Sequence, residues 1–329
     1  MTDVLILGGT GWLSGAVARR WRDAGASVTC LARGSRPVPE GIELVAADRS
    51  DPDAYTEVVR RHWDEVVDVS SDSDHVAAAV AALAGRAAHG TYVSSVSVYA
   101  GNDEVGADET AALSPPARSG TPDDEYDYSR AKSAAEASVR AELGDRAAIV
   151  RPGLIVGPGD PTDRFGYWVG RFAAARDGAV LAPPLVDARA QVIDVEDLAE
   201  FVVDRGRDAW HGTANAVGDS LPLADLIALA REVGGHGGPL VEADDEWLSA
   251  QGVAPWAGPR SLPLWLPAGM PGFMTRSNAA YRAAGGRLRS IRQALERTLE
   301  DERMRGLARD RRAGLTRPDE LALLAALAA

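Results

Sequence analysis

The chain has 329 residues, 46% of them hydrophobic and 25% charged, with 34 glycines, a composition ordinary for a globular protein and long enough for two folded units. Its formal charge of -13 would repel a phosphate backbone, and no Lys/Arg block with interleaved aromatics reverses this locally, so no nucleic-acid partner is expected. A single cysteine, Cys30, excludes an internal disulfide, and five scattered histidines show neither HxxxH nor CxxC spacing, so no metal is expected. The first residues lack the basic start and apolar stretch of a signal peptide, and no apolar run reaches bilayer length. The expectation is a cytoplasmic protein with no membrane partner.

In chain order, short β-branched runs alternate with Ala-rich helical stretches. Strands are predicted at Val4 to Leu7, Ser27 to Ala32, Ile42 to Ala46, Glu65 to Val69, Thr91 to Ser94 and Ala147 to Arg151, with helices between them. That alternation predicts an α/β fold, a Rossmann-type doubly wound parallel sheet whose ligand crevice lies at the carboxyl ends of the strands. Past Arg151, Gly157, Pro158, Gly159 and Pro161 interrupt the pattern and a smaller, mainly helical substrate lobe is expected to begin. The run Gln191 to Asp194 followed by Val195 to Arg205 reads as a return to the first domain. The domains are therefore expected to interleave, with 1–152 and 188–217 in the dinucleotide-binding domain and 153–187 and 218–329 in the substrate lobe. Helices are predicted over Leu223 to Val233 and Ser290 to Glu300, and a last one is capped by Thr316 with Leu321, Leu324 and Leu327 facing its own lobe.

The first strand runs directly into Gly8, Gly9, Thr10 and Gly11, and a helix is predicted to open at Trp12 and Leu13. Backbone without Cβ atoms turns tightly there, and the free N–H groups of a helix start can hold a pyrophosphate, which marks a dinucleotide site. At the end of the second strand stand Arg33 and Arg36, with no carboxylate to accept bonds from a ribose 2'-hydroxyl. A guanidinium suits a 2'-phosphate, so NADP(H) is preferred, with NAD(H) as the other cofactor the site could take. Asp48 and Arg49, after the third strand, are placed to meet the adenine, and Ser70 and Ser71, after the fourth, to border the cofactor.

Tyr128 and Lys132 are four apart in a predicted helix from Tyr126 to Leu143, which puts both on one face. A tyrosine pKa of ~10 must fall toward ~7 for proton transfer at neutral pH, and a lysine cation supplies that sign of field. Tyr126 has Arg130 at the same spacing, a group that cannot be deprotonated, so Tyr128 is the better candidate. Ahead of them, the strand ending at Ser94 and Ser95 places hydroxyls where a parallel sheet presents catalytic groups.

The segments GGTGWLSG, YVSSVSVYA, YSRAK, RPGLIVGPGD and QVIDVEDLA together resemble the extended short-chain dehydrogenase/reductase superfamily, in its NAD-dependent epimerase/dehydratase branch, over roughly Asp3 to Val217. The resemblance implies that Ser95 binds the substrate oxygen, that Tyr128 is the general acid/base, and that Lys132 holds the nicotinamide ribose and lowers the tyrosine pKa. It also makes a homodimer the expected assembly. Members acting on nucleotide sugars usually read RxxNxxGP where this chain has Arg151 to Pro158, and here Leu154 replaces the asparagine. The first expectation is thus an NADP(H)-dependent oxidoreductase moving hydride between nicotinamide and a carbonyl or alcohol carbon of a small non-nucleotide substrate. The alternatives are an NAD-dependent nucleotide-sugar epimerase or dehydratase, and a non-catalytic NAD(P)-binding protein. The substrate pocket is expected to draw on Asp163, Arg164, Phe165, Tyr167 and Trp168 and on the later Trp-rich loop.

Overall fold

In the computed structural model, which describes residues 1–266 and 269–328, the apolar run Asp3–Leu7 (β1) is an inner strand of a seven-stranded parallel sheet. Its other strands are Ser27–Ala32 (β2), Glu43–Ala46 (β3), Trp63–Asp68 (β4), Ala87–Val93 (β5), Ala147–Pro152 (β6) and Gly212–Ala216. Across the sheet the order is Gly212–Ala216, β6, β5, β4, β1, β2, β3. Winding reverses between β1 and β4, which opens a crevice at their carboxyl ends. β1, β2 and β6 are buried almost throughout, as strands covered on both faces must be, whereas the edge strand β3 is mostly exposed.

The chain forms two compact units. The first comprises Met1–Gly153, Val195–Gly218 and Arg276–Arg287, and the second Leu154–Asp194, Asp219–Thr275 and Leu288–Ala329. This division departs from the sequence expectation at two segments. Val192–Asp194 does not join the large sheet but pairs in parallel with Leu154–Val156 inside the second unit, where Asp194 is held by Arg297 at 2.8 Å. Arg276–Arg287, expected in the substrate lobe, belongs to the first unit. Ser277 N–H donates to Ala107 O at 3.0 Å, and the fully buried Tyr281 lies 4.5 Å, ring to ring, from Phe201.

Helix Trp12–Asp23 (α1) packs on helix Val195–Arg207 and is joined to it by Arg20, which pairs with Glu196 at 3.0 Å and Glu200 at 3.4 Å. Helix Ser73–Leu83 (α2) is capped by Asp72, whose carboxylate accepts from the N–H groups of Asp74 and His75. Helix Tyr128–Leu143 (α3) is capped by Asp127, which accepts from Arg130 N–H at 3.0 Å. Asp127 therefore fixes the helix start at Tyr128, two residues later than the sequence pattern predicted, and leaves Tyr126 outside the helix.

The second unit is built on one apolar core in which Phe165, Tyr167, Trp168 and Phe172 of helix Arg164–Ala175 meet Leu223, Leu226 and Ile227 of helix Leu223–Gly234. The last helix, Arg317–Leu327, is capped by Thr316 as predicted, but its buried face carries Glu320 and Leu323, while Leu321 is 50% exposed. Glu320 sets that rotation: it is fully buried, pairs with Arg171 and Arg317, and accepts from Leu181 N–H at 3.1 Å.

Candidate active site

The glycine turn needs two of its glycines for distinct reasons. Gly8 has φ +107°, which side chains rarely adopt, and a Cβ on Gly9 would lie 2.1 Å from Cys30 Sγ. Gly11 N–H donates to Ser14 Oγ at 3.0 Å, so Ser14, standing near the third glycine of the usual pattern, closes the turn with its hydroxyl. Between this turn and the ends of β2 and β3 opens a cleft of about 530 Å³, lined among others by Gly8, Thr10, Gly11, Arg33, Arg36 and Asp48. Gly9, Trp12, Leu13, Ser70 and Ser71 do not line it. Arg49 does, but its guanidinium is committed to Asp68 by two bonds of 2.9 and 2.6 Å, to Tyr55 Oη at 2.9 Å and to His75 O at 2.7 Å. It therefore braces the wall of the cleft. Arg33 and Arg36 are exposed at its rim, and Asp48, which accepts from Ser50 N–H at 3.0 Å, is held below the usual carboxylate range by that bond first and by the charges of Arg33 and His75.

The residues present fit a nicotinamide dinucleotide. The glycine turn, with Gly8 and Gly11 on the cleft, meets a helix start at one end, and two arginines stand at the other. Farther along the sheet, the buried Ser94 Oγ has no hydrogen-bond partner among the described residues. Sequence reasoning missed His75 and Ser50, which line the cleft from α2 and from the loop after β3. Nothing in their local pattern distinguishes them from solvated polar residues.

Lys132 lies one turn along α3 from Tyr128 and is 2% exposed. Its Nζ donates to Ser70 O and to Val93 O, each at 2.8 Å, leaving one ammonium proton for a further acceptor. The Tyr92 ring lies 4.8 Å from this nitrogen and the Tyr128 ring 5.9 Å. Burial pushes the Lys132 pKa down to about 8, against the opposing charges of Asp68 and Glu136. Tyr128 itself is 42% exposed, accessible at the first turn of the helix. Ser70 thus serves Lys132 through its carbonyl, and Ser71 O accepts from Tyr126 Oη at 3.2 Å.

Ser95, 8% exposed, accepts from Ser97 N–H through Oγ at 3.1 Å, a bond that does not use its own hydroxyl proton. Behind α3 the guanidinium of Arg151 grips Glu136 at 2.8 and 2.7 Å and donates to Tyr99 Oη at 2.9 Å. That buried pair fixes the helix one turn beyond Lys132. In the second unit four of the side chains expected to line a substrate pocket have other duties, whereas Trp265 of the Trp-rich loop does line a cavity. Phe165, Tyr167 and Trp168 are at most 1% exposed and belong to the core, and Asp163 is bound by Arg305 and Arg309.

A parallel sheet wound in this order, with a glycine turn after its first strand and a tyrosine and buried lysine one turn apart beyond its fifth, defines a nicotinamide-dependent enzyme of the short-chain dehydrogenase/reductase type. The chain belongs to the NAD dependent epimerase/dehydratase family, whose model matches residues 4–205. Among its relatives is 2'-dehydrokanamycin reductase of Streptomyces kanamyceticus, 31% identical over 265 residues, covering 75% of this chain and 71% of the relative. The fold is that of UDP-glucose 4-epimerase of Thermotoga maritima, with a TM-score of 0.68 at 14% identity over 92% of this chain and 99% of the other. UDP-N-acetylglucosamine 4-epimerase of Bacillus cereus is similar, with a TM-score of 0.66 at 16% identity over 93% and 97%. Among the described residues no helix is long and apolar enough to cross a membrane.

Proposed function

We propose that this protein is an NADP(H)-dependent reductase or dehydrogenase acting on a carbonyl or alcohol carbon of a small, non-nucleotide substrate. The observation that carries the reading is the makeup of the adenosine end of the cleft, where Arg33 and Arg36 stand after β2 in place of the acidic residue that binds a free ribose 2'-hydroxyl. The reductase named among its relatives supports it, and so does Leu154, which is buried in the second unit's core at the position where nucleotide-sugar enzymes usually carry asparagine.

When bound, the nicotinamide supplies or accepts the hydride. Gly8 to Gly11 and the start of α1 would hold the pyrophosphate, and Lys132 would give its third ammonium proton to the ribose. Ser95 donates its hydroxyl proton toward the substrate oxygen and orients the carbonyl. Tyr128 delivers a proton to that oxygen during reduction and removes it during oxidation, with the Lys132 ammonium favouring the phenolate. In the reductive direction the substrate carbon gains hydride and its oxygen gains the phenol proton.

The test is NADPH oxidation followed against a panel of keto sugars and simpler ketones, with Tyr128→Phe as the control. Turnover should fall on the order of 10²- to 10⁴-fold in the variant while NADPH affinity stays within about twofold. Undiminished turnover by Tyr128→Phe on the best substrate would overturn the mechanism. NAD that remains with the protein through purification, together with interconversion of a nucleotide sugar, would favour epimerase chemistry instead.

A further inference from the structure

We infer that Tyr92 is a positioning residue for Lys132: its ring face anchors the buried ammonium, and its hydroxyl fixes the ring on the Ser70 carbonyl that the ammonium also uses. The inference rests on the reading of Lys132 as the partner of Tyr128 in catalysis.

Lys132 is the only lysine of the chain, and a cation buried at that place needs stabilisation from its surroundings. The carboxylates whose charges act on it are Asp68, at the end of β4, and Glu136, one turn farther along α3. Each is already gripped by a guanidinium, Asp68 by Arg49 at 2.6 Å and Glu136 by Arg151 at 2.7 Å. The other titratable groups around Tyr92 and Lys132 are the phenols of Tyr126 and Tyr128. Instead of a carboxylate, the ammonium meets two carbonyls, Ser70 O and Val93 O, and an aromatic face. The Tyr92 ring lies 4.8 Å from Nζ, well inside cation–π range, whereas the Tyr128 ring at 5.9 Å is at its edge.

Tyr92 can serve as this face because its own place is fixed. It stands on β5 in register with Asp68 of β4, is 1% exposed, and shares an apolar cluster with Val76 and Val80 of α2 and Ala135 and Val139 of α3. Its hydroxyl donates to Ser70 O at 3.1 Å, so phenol and ammonium converge on one carbonyl. Burial pushes the Tyr92 phenol far above its ordinary pKa, so it stays neutral and does not compete with Tyr128 for proton transfer. An aromatic face is worth most to a cation that has lost its water. Removing the ring should therefore make the ammonium easier to deprotonate.

With one lysine in the chain, the ε-carbon resonance of protein carrying isotope-labelled lysine reports this ammonium alone. The full chain is titrated without cofactor, and kcat/KM for reduction is measured over the same pH range. The wild type should titrate near about 8, and Tyr92→Phe, which keeps the ring, within about 0.3 pH unit of it. Tyr92→Leu should titrate about one pH unit lower, and the alkaline limb of its kcat/KM profile should move by the same amount. Tyr92→Met, whose unbranched chain fills irregular space, should behave alike and serves if Tyr92→Leu does not fold. A merely structural role would lower stability without moving either titration. Ammonium titration equal to the wild type in the ringless variants would overturn the inference, and so would a fall in Tyr92→Phe as large as theirs. A resonance that shifts while the kcat/KM profile stays in place would leave the anchoring intact and refute the catalytic reading of Lys132.

Discussion

Lys132 is the buried cation of the candidate site. Its pKa of about 8 lies below that of a free lysine, so the unfolded chain binds the proton more tightly than the folded one. Stability therefore rises with pH from about 8 to about 10.4, by up to roughly 1.4 kcal/mol per pH unit, and the cost of the buried ammonium is fully present below that window. Lys132→Met removes this term. Urea unfolding should show the variant gaining most on the wild type at pH 7 and losing that advantage toward pH 10, and a difference independent of pH would contradict the burial argument. The same depression has a catalytic consequence with the opposite sign. In the proposed mechanism the Lys132 ammonium favours the Tyr128 phenolate and is lost above about pH 8, so kcat/KM for reduction should decline on the alkaline side, and a profile flat through pH 9.5 would argue against the Tyr128 and Lys132 pairing. The placement of Tyr128 and Lys132 one turn apart on α3 and of Ser95 just after β5 was legible in the sequence because each belongs to a short local pattern of strand end or helix turn, while their roles belong to the proposed function. His75 and Tyr92 were not, since what gives them meaning is a neighbour across the sheet or a loop: Ser50 for one and the Lys132 ammonium for the other.

At the scale of elements, the turn between β1 and α1 depends on close approach rather than on flexibility alone. Gly9→Ala would drive a methyl into Cys30 on β2, where backbone and side chain are both buried, and should cost on the order of 1–3 kcal/mol in denaturant unfolding along with cofactor affinity. A variant as stable as the wild type would show that the turn can open at little expense. The start of α3 makes a second case. Asp127→Ala removes the cap that sets Tyr128 at the helix entrance, with an expected stability loss of about 1 kcal/mol and a kcat lowered more than KM is raised. Six strands of the large sheet could be read from β-branched runs within a few residues of where they lie. The seventh could not, because Gly212–Ala216 has only Thr213 as a strand former and owes its place to pairing with β6. The last helix was read in part: Leu324 and Leu327 pack on the second unit's core, but the ion pairs of Glu320 turn Leu323 inward and leave Leu321 outward.

For the whole molecule, the chain crosses between its two units several times, and composition alone marked only part of that path. The short stretch Arg276–Arg287 carries no strand or long helix to announce its membership, and the first unit claims it through the burial of Tyr281 and the bond of Ser277 to Ala107. Tyr281→Ala should accordingly cost on the order of 3–5 kcal/mol in unfolding, as for other fully buried aromatics. The central claim is that this fold binds NADP(H) at the cleft and uses it. The measurement that tests it most directly is a titration of the purified protein with NADPH and with NADH, followed by energy transfer from its eight tryptophans to the reduced nicotinamide. The account predicts NADPH binding tighter by about tenfold, the worth of roughly 1.4 kcal/mol from the arginines at the rim. Tighter binding of NADH, or binding of neither, would contradict it.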